Sequence, residues 1–257
     1  MPDARLEEEA AFADSEYAPM VGDVTINPGM FAKYERPRQL WDWRQRAAQS
    51  LGPVAGRRLL DFGSGQGEEA CYFAKLGADV SAIDISPVGI QVGRDRAKAN
   101  GLTVDFQVMS CAATTFADNT FDLVHGHGIL HHVGLAEALT EVYRILKPGG
   151  RAVFLEPLGN SPRIEALKQR VYHRYKDRRH LIPLTSGEEN LRLDDIGRAT
   201  ARWAMVRLYP YYLASRARKL FLPMKYWHLL YRFDHGVLQV MPPLKHFAGG
   251  AVIYLEK

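Results

Sequence analysis

The chain has only two cysteines, Cys71 and Cys111, among 257 residues. That excludes a disulfide framework, and both read as free thiols in a reducing compartment. No Cys/His spacing of the zinc-binding kind occurs, so no metal is expected. No apolar run approaches the roughly 18 residues that a membrane span needs. The opening Met1-Pro2-Asp3-Ala4-Arg5, followed by Glu7-Glu8-Glu9, is acidic and lacks an apolar stretch, so no secretory signal is expected there. A cytoplasmic protein is the expectation. Internal repeats and low-complexity tracts are missing too. With 47% hydrophobic and 24% charged residues, the composition excludes a disordered chain, a collagen-like fibre and a coiled coil.

What is present is unevenly charged. The formal net charge is +4, yet residues 163–180 hold seven Lys/Arg against two Asp/Glu, and residues 201–232 hold seven Lys/Arg and no acid. The remainder is net negative. Basic charge is therefore confined to the C-terminal half, where an anion is the natural partner.

Residues 1–30 are polar, acidic and rich in turn formers, and are read as a tail or flap. From Pro37 to about Leu51 a helical stripe of Leu40, Trp41, Trp43 and Ala47 appears, stopped by Gly52-Pro53. Strand and helix then alternate. The strands are Arg58–Phe62, Asp79–Ile85, Val104–Met109, Phe121–Gly126 and Arg151–Glu156. The helices are Glu68–Leu76, Pro87–Ala99 and Leu135–Leu146, the last closed by Lys147-Pro148-Gly149-Gly150. Such alternation implies a parallel sheet covered on both faces, with right-handed crossovers. Beyond Pro157 the spacing predicts a basic aromatic helix over Pro162–Arg179. A short helix at Ile196–Ala199 is capped by Asp194-Asp195, and a strand follows over Ala204–Tyr212. Helix from Ala214 to Leu238 breaks at Pro223, and a last strand spans Ala251–Leu255.

The turn after the first strand reads Leu59-Leu60-Asp61-Phe62-Gly63-Ser64-Gly65-Gln66-Gly67-Glu68-Glu69. Glycines there let a backbone approach a ligand closely at the carboxyl edge of the sheet. A dinucleotide motif places its last glycine at position 68, which here is Glu68. With Glu69 it would repel a pyrophosphate at the helix N-terminus. A ligand without phosphates and with a positive centre suits the turn better. Asp84 lies 23 residues past Asp61, at the end of the second strand, where a carboxylate accepts two hydrogen bonds from a ribose diol.

With these residues the chain resembles the class I S-adenosylmethionine-dependent methyltransferases. Asp61 to Gly67 resembles their Asp-x-Gly-x-Gly-x-Gly motif, and Asp84 their ribose-holding acid. Thr120-Phe121-Asp122-Leu123-Val124 resembles their fourth strand, and Ile129-Leu130-His131-His132-Val133 the segment after it. Leu146-Lys147-Pro148-Gly149-Gly150 resembles the turn before their fifth strand. The matches keep their order over residues 55–157. The resemblance implies a single α/β domain: a Rossmann-like, doubly wound, mostly parallel seven-stranded sheet with a reversed terminal hairpin and a helical cap inserted after strands 5 and 6. Within it, 1–36 would be a flexible lid, 37–157 the cofactor-binding core, 158–250 the cap and substrate-binding helices around strand 6, and 251–257 the last strand.

The resemblance also implies a site. Asp61, Gly63, Ser64, Gly65, Gly67, Asp84, Ile85, Ser110, Cys111 and His125 would bind S-adenosylmethionine, with S-adenosylhomocysteine as product. Ser110 stands where the family usually carries an acid for the adenine amino group, and a neutral hydroxyl accepts that bond more weakly. Methyl transfer is an in-line displacement that needs alignment above all. For a hydroxyl acceptor it also needs a base near neutral pKa, for which histidine is suited. His127, His131 and His132 are the candidates, each with a structural alternative as a cap or pocket wall. Glu156, ending the fifth strand beside them, either contacts substrate or only closes the strand. Tyr172, Tyr175, Arg179, Tyr226 and Trp227 are candidate substrate contacts in the basic aromatic segments, for an anionic or aromatic small molecule. The plainer reading of those segments is a solvated face whose aromatics pack inward. Contact with a membrane surface is a minor reading, nucleic acid is not expected, and oligomeric state is open. Tyr17, Tyr34, Arg38 and Trp41 would either fold over the cofactor as a lid or belong to a helix that packs its tryptophans on the domain. Two rival functions are a non-methylating S-adenosylmethionine-binding protein or cyclase on the same fold, and a nicotinamide-dependent oxidoreductase, which Glu68 argues against.

Overall fold

In the computed structural model the described residues are 2–26, 42–159, 170, 191–217 and 226–257. Helix α1 (Pro2–Tyr17) runs into a 3-10 turn at Ala18–Met20, and α2 (Trp43–Leu51) precedes the sheet. Then come β1 (Arg58–Phe62), α3 (Glu68–Lys75), β2 (Asp79–Asp84), α4 (Pro87–Ala99), β3 (Asp105–Val108), β4 (Phe121–His127), α5 (Leu135–Ile145) and β5 (Leu146–Pro157). The chain ends with α6 (Leu193–Ala199), β6 (Met205–Tyr211), α7 (Trp227–Val240) and β7 (Gly250–Glu256).

The seven strands form one sheet in the order β3-β2-β1-β4-β5-β7-β6. β1, β2, β3, β4 and β5 pair in parallel, while β7 runs antiparallel to both β5 and β6. This is the Rossmann-like, doubly wound sheet with a reversed terminal hairpin that the sequence implied. The central strands β1, β4, β5 and β7 are mostly apolar and buried because both faces are covered there. Alternate residues sort between two cores. Leu60, Phe62, Val124, Phe154, Ile253 and Leu255 face α5 and α6 through Leu139, Val142 and Ile196. Leu59, Leu123, Val153, Leu155 and Val252 face α2, α3 and α4 through Ala47, Phe73 and Ile90. A one-residue slip would exchange the two sets, which pins the register.

Four local readings differ. Residues 2–17, taken as a tail or flap, form α1, which packs on α4. Ala, Leu and Glu are strong helix formers, but α1 carries no continuous apolar stripe, so periodicity is silent there. The Lys147-Pro148-Gly149-Gly150 turn lies inside β5, whose pairing with β4 jumps from Phe121–Leu146 to Leu123–Arg151. Asp194 and Asp195 sit in the first turn of α6 after Arg192, where they favour the helix dipole without capping it. The first predicted helix is described only from Trp43, where Asp42 caps it by accepting the Arg44 and Gln45 N–H groups at 3.0 and 3.3 Å. Most of the predicted 162–179 helix, the stretch around Pro223, and Tyr34, Arg38 and Trp41 lie outside the described residues.

Candidate functional site: a glycine turn flanked by two His–carboxylate pairs

The carboxyl edge of β1 turns sharply into α3. Gly63 and Gly65 adopt φ of 76° and 51°, which a side chain would strain. A Cβ on Gly63 would also meet Ile129 at 2.5 Å, and one on Gly65 would meet the Tyr17 hydroxyl at 2.6 Å. The turn is held from β2. Ile83 accepts the Gly63 and Ser64 N–H groups at 2.9 and 2.8 Å, and Ser64 accepts the Gly67 N–H at 2.8 Å. Asp84, buried at the end of β2, accepts the Gly65 N–H at 2.8 Å on one oxygen and the Ser86 N–H at 2.9 Å on the other. Burial pushes its carboxyl up, against those two hydrogen bonds. Each oxygen keeps a lone pair, as acceptance from a diol requires.

Asp61 and His125 are register partners on β1 and β4, so their side chains share one face. The Asp61 carboxylate takes the His125 Nδ1–H at 3.0 Å, both groups being buried, and the imidazole lies edge-on to Phe73. Burial pushes the Asp61 carboxyl up. Three polar atoms at this point are buried without a partner: Asp61 Oδ2, Ser64 Oγ and His125 Nε2. Native structures rarely leave such atoms unpaired, and a ligand is one common reason.

Two residues past His125, on the same face of β4, is His127. Its Nδ1 pairs with Glu69 Oε1 at 3.0 Å, and its ring lies edge-on to Trp43. Burial alone would raise Glu69, but the hydrogen bond and charge of His127 outweigh it and hold the carboxyl at about 2. Burial would lower His127, but Glu69 outweighs that and raises it above the ordinary value of 6.5. Glu156, for which the sequence leaves substrate contact and strand closure both open, is fully buried. Its Oε1 accepts the Ile129 and Leu130 N–H groups, both at 2.9 Å, and its Oε2 meets His131 Nδ1 at 2.8 Å. It thus positions the segment after β4. His132 stacks against His131 with ring centroids 4.1 Å apart.

The remaining predicted residues fall as follows. Ser110 Oγ accepts the Ala112 N–H at 3.2 Å. The Cys111 side chain is buried in the core, where burial pushes its thiol well up. Ile85 is half-buried between Asp84 and Ser86. Tyr226 and Trp227 open α7, which packs on β6 and on the 3-10 turns Ala214–Ala217 and Pro242–Phe247. Tyr172, Tyr175 and Arg179 lie outside the described residues. Among the described residues no three His, Cys, Asp or Glu side chains converge in a metal-holding group.

Sequence reasoning missed three contributors. Glu69 was read only as repelling phosphate. Arg96 is buried and donates to both the backbone oxygen and the side chain of Gln66 in the glycine turn, and to the Thr25 and Asp23 carbonyls. Its spacing three residues past Gly93, on the inner face of α4, was the available signal. Asp14 of α1 accepts the Val88 N–H at 3.1 Å and the Ser86 hydroxyl at the start of α4. Beside the site, a cavity of about 320 Å³ is walled by Trp43, Tyr209, Tyr211, Tyr212 and Tyr231, with Arg46 at its side.

The strand order, the glycine turn and the acid ending β2 make up an α/β Rossmann-like fold of the kind methyltransferases share. Residues 60–154 match the family model described as "Methyltransferase domain". The ubiquinone/menaquinone biosynthesis C-methyltransferase UbiE of Hydrogenovibrio crunogenus is 36% identical over 120 residues, covering 44% of this chain and 47% of that one. The demethylmenaquinone methyltransferase of Thermus thermophilus is 37% identical over 117 residues, covering 44% and 53%. The chain thus spans about half the length of these curated relatives. Among solved structures, a putative sarcosine dimethylglycine methyltransferase from Galdieria sulphuraria superposes with a TM-score of 0.59 at 14% identity, covering 95% of this chain and 98% of that one. That likeness concerns the fold.

Proposed function

We propose that this chain transfers the methyl group of S-adenosylmethionine to a small aromatic acceptor of the quinol kind. The observation that carries the reading is the trio of buried, unpartnered atoms at the glycine turn: Asp61 Oδ2, Ser64 Oγ and His125 Nε2. Together they present acceptors where the ammonium of an amino-acid moiety would pair. Asp84 serves the ribose, and Ile85, Ser110 and the Cys111 backbone line the adenine side.

The bound cofactor supplies an electrophilic methyl group on a sulfonium, and its displacement leaves S-adenosylhomocysteine. The chain supplies alignment and a place for the acceptor's proton. His127 is suited to the latter, because Glu69 takes its Nδ1–H and leaves the Nε2 lone pair as the basic edge. Glu156 fixes His131 in the same sense from beneath. The aromatic walls of the neighbouring cavity suit a flat ring or its substituent, and the names of the curated relatives point to quinones.

Calorimetry with S-adenosylmethionine, S-adenosylhomocysteine and NAD tests this. The first two bind and NAD does not. Asp84→Ala weakens the cofactor by about 1.5–3 kcal/mol, the worth of hydrogen bonds to a charged group. Binding of NAD, or of none of the three, rejects the proposal; unchanged affinity in the Asp84 variant rejects the role given to that residue.

A further inference from the structure

Six of the exposed large hydrophobic residues fall in one stretch, from Tyr226 to Phe247. On α7, Leu229, Phe233 and Val240 follow one another at spacings of four and seven, so they stand on one helix face. They are exposed by 51%, 57% and 82%, and Met241 beyond them by 54%. The opposite face, with Tyr231, Asp234 and Leu238, turns to the cavity. Helix α7 is thus apolar on the side that nothing among the described residues covers.

The exposed charge of α7 and the turn after it has one sign. Between Trp227 and Phe247 the sequence carries Arg232 and Lys245 and a single acid, Asp234. That acid is buried, and its oxygens accept the Leu213, Ala214 and Ser215 N–H groups and the Ser215 hydroxyl. Arg232 and Lys245 are exposed beside the apolar stripe. A single apolar residue on a surface is ordinary, but a run of them beside exposed cations, with no exposed acid in the same stretch, is not.

We infer that the outer face of α7 docks on an anionic lipid surface. Leu229, Phe233, Val240 and Met241 enter the headgroup–acyl boundary, and Arg232 and Lys245 meet lipid phosphates. This pairing of apolar residues with cations is what an interfacial helix needs. A nucleic-acid surface satisfies the cations but gives nothing to aliphatic side chains. The inference does not depend on the proposed methyl transfer. It adds a location for it, since an enzyme so docked meets acceptors dissolved in the bilayer.

Co-sedimentation of the full chain with vesicles tests it, comparing phosphatidylcholine alone with phosphatidylcholine containing about a third phosphatidylglycerol. The chain partitions onto the anionic vesicles only, and less as salt is added. Leu229→Ser with Phe233→Ser lowers partitioning at least about tenfold. Arg232→Gln with Lys245→Gln lowers it about thirtyfold. Both pairs lie on exposed positions, and unchanged circular dichroism and thermal midpoint confirm that the variants fold. Three results overturn the inference: equal partitioning onto both vesicle types or onto neither; undiminished binding by the Ser variant; or a solution dimer, or retention on duplex DNA, without vesicle binding.

Discussion

At the scale of single residues, the site is built from carboxylates that each organise a neighbour. Asp84 holds Gly65, Asp61 holds His125, Glu69 holds His127, and Glu156 holds His131. The Glu69–His127 pair ties stability to pH, and the signs differ for its two members. Glu69 is held at about 2, so its contribution is present above its ordinary value of 4.5 and is lost as pH falls toward 2. His127 is raised, so its contribution is full below 6.5 and is lost as pH rises through its raised value. The stabilisation of the wild type over Glu69→Gln is therefore greatest between pH 4.5 and 6.5 and declines on both sides. Denaturant unfolding across that range measures it, and a difference independent of pH would refute the pairing. Of these residues Asp61, Asp84, Glu156 and the histidines were legible from strand ends and motif. The partner of each histidine was not, because strand register and the facing of α3 decide who meets whom.

At the scale of elements, the N-terminal helix was the least legible. Asp14 reaches across to the first turn of α4, where Ser86 accepts the Gly89 N–H at 2.9 Å and Asp14 accepts the Val88 N–H. The two side chains together satisfy helix donors that would otherwise be orphaned. Tyr17, three residues on, sits against Gly65 and Gly89, and burial pushes its hydroxyl well up. Asp14→Ala removes the link and costs about 1 kcal/mol of stability. Hydrogen exchange should show residues 2–17 opening before the sheet does; equal protection of α1 in the variant and the wild type would show that Asp14 does not hold it. Helices α2 to α5 were readable because each carries an apolar stripe facing the sheet. β6 was readable from its alternation and β7 as a short apolar strand, and pairing places β7 between β5 and β6.

At the scale of the whole molecule, charge and fold divide the chain. The five parallel strands and the glycine turn come from a net-negative region, and the excess of cations lies after residue 160. An anionic acceptor drawn to that region has a KM that rises with salt, because screening weakens attraction over about 10 Å at 0.1 M. A neutral acceptor of the same shape has a KM that salt leaves unchanged. Steady-state kinetics with both, at several salt concentrations, separates the two; identical salt responses would remove the cap's charge from acceptor recognition. The basic segment at 163–180 lies almost wholly outside the described residues, so its share in this field is read from sequence alone.

By itself the sequence determined the alternation of strands and helices, the sharp glycine turn and the acid ending β2. Each of these is a local matter: side-chain period, backbone freedom at glycine, and spacing along the chain. Tertiary structure alone decided that Glu69 faces His127, that Glu156 lies beneath its loop, that Arg96 is buried against Gln66, and that α1 caps α4. These are contacts between residues 25 to 74 positions apart. No local periodicity encodes them, because they arise only when the two cores close on the faces of one sheet.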